Sequence, residues 1–315
     1  MPAPPSAPSW RLLLSISVKR LARVALHLAQ ACVFSSRAGH SAEYRQRWSR
    51  QLLAILGIRL RAGRLGVAPG TLLVANHVSW LDVVALSALC PANFVAKREL
   101  RRWPLIGWLL ERHGCLFLDR RVGRHLLSLN AQITAQLAAG EVIAVFPEGT
   151  TTNGASLLPF RRALFEPVAR GGHRVQPFVL SYADAAARRS EAAAFIGEQS
   201  LWASLVAIAS LPELTISVVR CPSFAGTGLT RREIARRAQG AIQQRLRESG
   251  PLGSSALCDT TTSSLRADKV ARNLQLDSHY RADKEGKHAS FEKSAGHVRP
   301  VVHICRTGGR ADRTR

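Results

Sequence analysis

Two short apolar runs constrain this chain more than any other feature. Thr71 to Ala75 and Val142 to Val145 each stop at a polar segment rich in reactive side chains. An unbroken apolar run of this length, bounded by turn residues, is the pattern of a strand buried on both faces. Further strands are predicted at Asn93–Ala96, Cys115–Leu118, Val175–Tyr182 and Leu214–Arg220, and Val142 is extended to Phe146. Helical periodicity is predicted over Leu81–Leu89, Glu99–Arg112, Arg124–Ala139, Arg162–Ala169, Leu201–Ala209 and Arg231–Arg247. This alternation predicts an α/β domain over residues 58–248, with a mostly parallel central sheet flanked by helices. A span of that length can bury one core.

The polar segment after the first run is Asn76-His77-Val78-Ser79-Trp80-Leu81-Asp82. It places a histidine and a carboxylate five positions apart. A neutral imidazole takes up a proton near neutral pH, and a buried carboxylate fixes its tautomer and stabilises the imidazolium. Ser79 to Asp82 has the form of a capping box, with Ser79 as N-cap and Asp82 as the third helical residue. His77 then falls in the turn at the carboxyl edge of the sheet, where open α/β sheets bind ligands. A plainer reading of this segment alone is a capped helix beside an ordinary turn histidine. The second run ends in Phe146-Pro147-Glu148-Gly149-Thr150. There a glutamate can accept from a hydroxyl, and a glycine permits close backbone approach.

His77-x4-Asp82 followed by Phe146-Pro147-Glu148-Gly149-Thr150 resembles the glycerolipid and lysophospholipid acyltransferases, typified by 1-acylglycerol-3-phosphate acyltransferase. Lys97-Arg98-Glu99-Leu100, Pro104-Leu105-Ile106-Gly107 and Gly114-Cys115-Leu116-Phe117-Leu118-Asp119-Arg120 match that family's middle block in order and spacing. Val175-Gln176-Pro177-Phe178-Val179 is similar to its late strand. The resemblance covers Leu60 to Leu246. It implies that His77 deprotonates an acceptor hydroxyl and that Asp82 orients His77. The hydroxyl would attack an acyl thioester carried by acyl carrier protein or acyl-CoA, with no acyl-enzyme and no cofactor. Lys97 and Arg120 would hold an anionic acceptor, while Glu148, Gly149, Thr150 and Arg161 would shape its site. The implied reaction converts 1-acyl-sn-glycerol-3-phosphate into phosphatidate.

Two departures bear on the acceptor. Family members acting on lysophosphatidate often carry Arg after the Thr of the third block, whereas Thr151, Thr152 and Asn153 follow here. Arg161-Arg162 is the next basic pair, and Ala163 stands where the family usually has glycine. The Phe-Pro-Glu-Gly-Thr-Thr-Thr variant is similar to bacterial enzymes that acylate lyso-ornithine lipid, so a lyso-aminolipid acceptor is the alternative. A thioesterase activating water with the same pair, and a catalytically silent lipid-binding relative, complete the set of readings.

Charge points to the setting. With 44 Lys and Arg against 21 Asp and Glu, the net charge is +23. That suits an anionic membrane surface or an acidic carrier protein. With aromatics at 6% and no recognisable nucleic-acid motif, a nucleic-acid partner is not expected. Trp10 to Phe34 is apolar but interrupted by Arg11, Lys19, Arg20 and Arg23. It falls short of the roughly 20 unbroken apolar residues that a spanning helix needs. Leu14, Ile16, Val18, Leu21, Val24, Ala25 and Leu28 beside those charges suit an amphipathic helix lying in the interface. A second helix is expected at about Ser41 to Leu56. Residues 1–57 therefore form the expected membrane-association segment, with core helices packed on the domain as the alternative. The implied location is the cytoplasmic face of a bacterial inner membrane, peripheral or held by one N-terminal anchor.

Residues 249–315 are polar and without periodicity, and they predict a disordered or loosely attached tail. Its histidines and the six cysteines show no metal-site spacing, and no disulfide framework is expected. No Gly-x-Ser-x-Gly elbow and no phosphate-cradling glycine motif appears, so neither a serine hydrolase nor a nucleotide cofactor is implied.

Overall fold

The computed structural model describes residues 10–38, 41–63, 65–112, 114–118 and 123–248. The tail from 249 and Arg120 lie outside the described residues. The chain opens with two helices, α1 (Trp10–Ala38) and α2 (Ala42–Ile55), and enters the sheet through β1 (Ile58–Ala62). Then follow β2 (Thr71–Ala75), α3 (Leu81–Leu89), β3 (Ala92–Lys97), α4 (Pro104–Arg112), β4 (Leu116–Leu118), α5 (Gly123–Ala138) and β5 (Val142–Val145). The last part runs α6 (Glu166–Gly171), β6 (Arg174–Ala183), α7 (Leu201–Ser210), β7 (Leu214–Arg220), β8 (Phe224–Ala225) and α8 (Arg231–Glu248).

The strands form one sheet in the order β1-β7-β6-β2-β5-β3-β4, with β8 paired to β6. All neighbours along that order are parallel except β6 and β7, and β8 is also antiparallel to β6. The expected mostly parallel sheet is therefore present. β2 and β5 are buried along their whole length, and period-two alternation divides their side chains between two cores. Leu73, Ala75 and Ala144 join a core with Val24, Trp48, Leu52, Val84 and Ile208, which belong to α1, α2, α3 and α7. Leu72, Val74, Ile143 and Val145 join Leu129, Ile133, Val168, Ile234 and Ala238 of α5, α6 and α8 on the opposite face.

Several expected boundaries differ. The helix expected over Glu99–Arg112 is a 3-10 turn (Arg98–Arg102) followed by α4. The break is at Trp103, held extended at φ −79° and ψ 114° because the ring of the following Pro104 disfavours a helical residue before it. Likewise Arg162–Ala169 divides into a 3-10 turn (Arg162–Phe165) and α6. β1 was not expected. Among the described residues it pairs only with β7 at the sheet edge, and an Ile-Arg-Leu-Arg-Ala strand with exposed arginines lacks the continuous apolar run that marks β2 and β5.

α1 docks on α2 and α7. Ser17 and His27 are buried, and His27 stacks on Trp48 with ring centroids 4.9 Å apart. The Arg20 guanidinium donates to the carbonyls of Ala209 and Leu211 at the end of α7. Leu14, Val18 and Leu26 on α1, and Trp202 on α7, remain exposed. Among the described residues no helix is long and apolar enough to cross a membrane.

Candidate active site

Parallel pairing brings the two motifs together. Val74 on β2 lies beside Val145 on β5, so the turns leaving both strands emerge side by side at their carboxyl ends. The connection from β2 leads to β3 on one side and that from β5 leads to β6 on the other. This is a topological switch point, where open α/β sheets form their ligand crevice.

In that crevice His77 Nδ1 lies 2.8 Å from Asp82 Oδ2. A carboxylate only accepts, so Nδ1 carries the hydrogen and Nε2 keeps its lone pair. Asp82 is fully buried while the His77 side chain retains 19% exposure, so the imidazole can meet an incoming molecule and its partner cannot. Oδ2 also accepts from the backbone N–H groups of Val78 and Ser79 at 2.7 and 2.9 Å. Oδ1 accepts from the Tyr182 hydroxyl at 2.5 Å. Four donors thus hold one carboxylate in place, which restricts the imidazole to one orientation. Burial and the nearby Asp82 charge push the Tyr182 phenol well above its ordinary range, so it remains a donor.

The capping box expected at Ser79 forms only in part. Asp82 does bond back to the Ser79 N–H, but α3 begins at Leu81 with Trp80 as N-cap and no side-chain cap bond. Asp82 is drawn to the turn amides and His77 instead, and is the second helical residue rather than the third.

Glu148 joins the second motif to the first. Its Oε1 accepts from the His77 N–H at 2.8 Å and its Oε2 from the Leu158 N–H at 2.9 Å. Burial raises its carboxyl above the ordinary value, and the two backbone donors oppose that rise. Phe146 stacks on the His77 ring at 4.1 Å and 14°. Gly149 sits at φ +76°, and a Cβ there would stand 2.2 Å from Arg161 Nε. The glycine therefore serves both a left-handed turn and the close packing of a guanidinium over it. Arg161 has no side-chain hydrogen bond or ion pair among the described residues.

Beside His77 opens an apolar cavity of about 370 Å³ that reaches Phe94, Val83, Trp48 and Leu28. Gly149, Thr150 and Thr151 line it near the histidine, and Lys97 also contributes to its wall. His77, Asp82, Lys97, Glu148, Gly149, Thr150 and Arg161 are thus gathered around one crevice. Thr151 has a structural job: its hydroxyl donates to the Phe195 carbonyl. Phe195 N–H in turn donates to the Val78 carbonyl, and Thr152 N–H to the His77 carbonyl. Asn153 reaches Glu191 at 3.2 Å. The chain between β6 and α7 is thereby strapped across the crevice.

The sequence reading missed Tyr182 and Asn76. The Asn76 side chain exchanges two hydrogen bonds with the Leu180 backbone, at 2.9 and 2.8 Å, and so fixes the end of β2 against β6. Asn76 adjoins the histidine and carried a local signal. Tyr182 is distant in sequence, and only strand register brings it to Asp82. Cys90 and Cys115 are buried and their thiols are pushed up to about 12, with Cys221 at about 11, which suits packing rather than nucleophilic work.

The sequence matches the acyltransferase family over residues 32–181. It is 37% identical over 241 residues to the lyso-ornithine lipid O-acyltransferase of Pseudomonas aeruginosa, covering 74% of this chain and 92% of that protein. It is also 37% identical over 173 residues to a 1-acyl-sn-glycerol-3-phosphate acyltransferase of Neisseria meningitidis, covering 54% of this chain and 67% of the relative. The crystal structure of the 1-acyl-sn-glycerophosphate (LPA) acyltransferase PlsC from Thermotoga maritima superposes with a TM-score of 0.56 at 16% identity. The match covers 77% of this chain and 98% of that one.

Proposed function

This chain belongs to the acyltransferase family, and we propose that it moves a fatty acyl group from an acyl thioester to the hydroxyl of a lysolipid. The observation that carries this reading is the free Nε2 of a carboxylate-oriented imidazole at the mouth of an apolar cavity. His77 Nε2 takes the acceptor's hydroxyl proton as that oxygen attacks the thioester carbonyl. The carbon–oxygen bond forms, the carbon–sulfur bond breaks, and the leaving thiolate takes the proton back from the imidazolium, which restores neutral His77. Asp82 stabilises that imidazolium between the two steps. The acyl chain occupies the apolar cavity, and its volume falls within the range of sites that enclose a small-molecule ligand.

The acceptor carries an acidic head group, with Arg161 and Lys97 as its cations; the role of Arg120 is carried over from the family pattern. Lysophosphatidate, giving phosphatidate, is the first acceptor to assay. Lyso-ornithine lipid is the second, and a specific observation favours it: the residue after Thr150 is Thr151, committed to strapping the loop at Phe195 and bringing no charge to a phosphate. The Pseudomonas relative of that name also matches along most of its length. The donor is acyl carrier protein or acyl-CoA. The enzyme works at the cytoplasmic face of a bacterial inner membrane, with exposed Leu14, Val18, Leu26 and Trp202 entering the interface. Offering both acceptors side by side to purified enzyme with a labelled donor tests the assignment. Labelled phosphatidate or labelled ornithine lipid supports the corresponding acceptor, and labelled free fatty acid without either product would replace the reading with a thioesterase.

A further inference from the structure

The Arg161-Arg162 pair divides between two places. Arg161 packs over Gly149 at the catalytic crevice, whereas Arg162 lines a separate cleft against α8. That cleft, about 360 Å³, is walled by Pro159, Phe160 and Arg162 on one side and by Arg232, Arg236 and Gln239 on the other. Arg232, Arg236 and Gln239 recur at helical spacing and so present one face of α8. Arg162 and Arg232 have no side-chain partner among the described residues. Arg236 has the Glu233 carboxylate near it, but that carboxylate is held by the N–H and hydroxyl of Thr230. Among the described residues no carboxylate lines the cleft. A concave surface with three exposed guanidinium groups and amide side chains is built for phosphate oxygens.

Its position says which phosphates. Leu158 N–H donates to Glu148, which itself accepts from His77. Phe160 N–H donates to Gln239 on α8 at 3.1 Å. Two residues of chain, at most about 7 Å, therefore separate a contact with the catalytic motif from a contact with the cleft wall. α8 packs on the sheet face opposite α1 and α7, whose exposed apolar residues suit a lipid surface. The apolar cavity beside His77 extends to Val24 and Leu28 of α1 and Leu205 of α7, which suits entry of a lysolipid from that side and leaves the α8 side to a water-soluble donor.

Resting on the acyl-transfer reading, we propose that the Arg162–Arg232–Arg236 cleft binds the phosphate groups of the pantetheine-linked acyl donor. The thioester then lies at His77 with its acyl chain in the apolar cavity and its anionic end in the cleft. Acyl-CoA and the prosthetic arm of an acyl carrier protein share this chemistry.

The test is the double variant Arg232→Gln/Arg236→Gln in the full chain, both positions being exposed on a helix that glutamine supports. Donors are palmitoyl-CoA, palmitoyl-carrier protein and S-palmitoyl-pantetheine, which lacks phosphate. The expected result is a KM for palmitoyl-CoA raised about tenfold or more, as loss of charge-assisted contacts requires, with the acceptor KM unchanged and palmitoyl-pantetheine unaffected. An equal rise with carrier protein assigns the phosphate of the shared arm, and a rise with CoA alone assigns the nucleotide phosphates. An unchanged donor KM, or a rise in the acceptor KM instead, overturns the proposal. Equilibrium binding of free coenzyme A decides the matter independently of turnover: tenfold weaker binding by the variant supports the cleft even if no acceptor is acylated, and equal binding overturns it.

Discussion

Tyr182→Phe isolates the contact that holds the far side of the Asp82 carboxylate. The ring is buried, so phenylalanine keeps its shape and only the hydroxyl is lost. Asp82 Oδ1 then has no donor, while Oδ2 keeps His77 Nδ1 and the Val78 and Ser79 amides. A hydrogen bond to a charged group is worth about 1.5–3 kcal/mol, and an orphaned buried acceptor falls toward the upper end. A loss of about 2–3 kcal/mol corresponds to roughly 4–12 °C in melting temperature for a domain of this size. Catalysis should change as well. Without the phenol the Asp82 carboxylate is held on the Oδ2 side alone, and the imidazole it orients is less firmly fixed. kcat/KM should fall by roughly tenfold, which is about 1.4 kcal/mol of lost positioning. The assays are a thermal melt and initial rates with a fixed acyl thioester. A stability loss with kcat/KM unchanged would reduce Tyr182 to a packing residue. A variant as stable as the wild type would refute the reasoning.

Other predictions are equally direct. Gly149→Ala places a Cβ 2.2 Å from Arg161 Nε at a φ of +76°. The backbone strain alone should cost about 1–2 kcal/mol, and displacement of Arg161 should raise the acceptor KM while the donor KM holds. Glu148 has a raised carboxyl pKa in the folded state. Its proton-linked contribution to stability is therefore full below its unfolded value of 4.5 and is lost as pH rises through the raised value. Glu148→Gln lacks that dependence, so the melting-temperature gap between wild type and variant should narrow from about pH 4.5 to neutrality; a widening gap contradicts the assignment. Val83→Trp fills part of the apolar cavity and should shift donor preference toward shorter acyl chains in a competition assay. An unchanged preference would place the acyl chain elsewhere.

What the sequence disclosed was mostly local. The apolar runs ending at Ala75 and Val145 showed buried strands because burial on both faces demands continuous hydrophobicity, and reactive residues at their ends showed the crevice. Pairings set by register were hidden: nothing near Tyr182 reports that β6 runs on past the end of β2 to reach Asp82. The same holds for Arg161 and Arg162, neighbours in sequence that serve different surfaces once the chain between Glu148 and Gln239 is folded. Thr151 looked like a departure lacking an expected charge, whereas the strap to Phe195 explains it by a contact 44 residues away. The break at Trp103 was legible in principle from Pro104, but the apolar periodicity on either side masked it.

The proposed reaction rests on the His77 imidazole acting as the base for acyl transfer. Its most direct test compares wild type with His77→Ala in transfer from a labelled acyl thioester to lysolipid in vesicles, with vesicle co-sedimentation measured on the same samples. The rate should fall on the order of 10²-fold or more while vesicle association stays unchanged. A variant that transfers acyl groups at nearly the wild-type rate would contradict it.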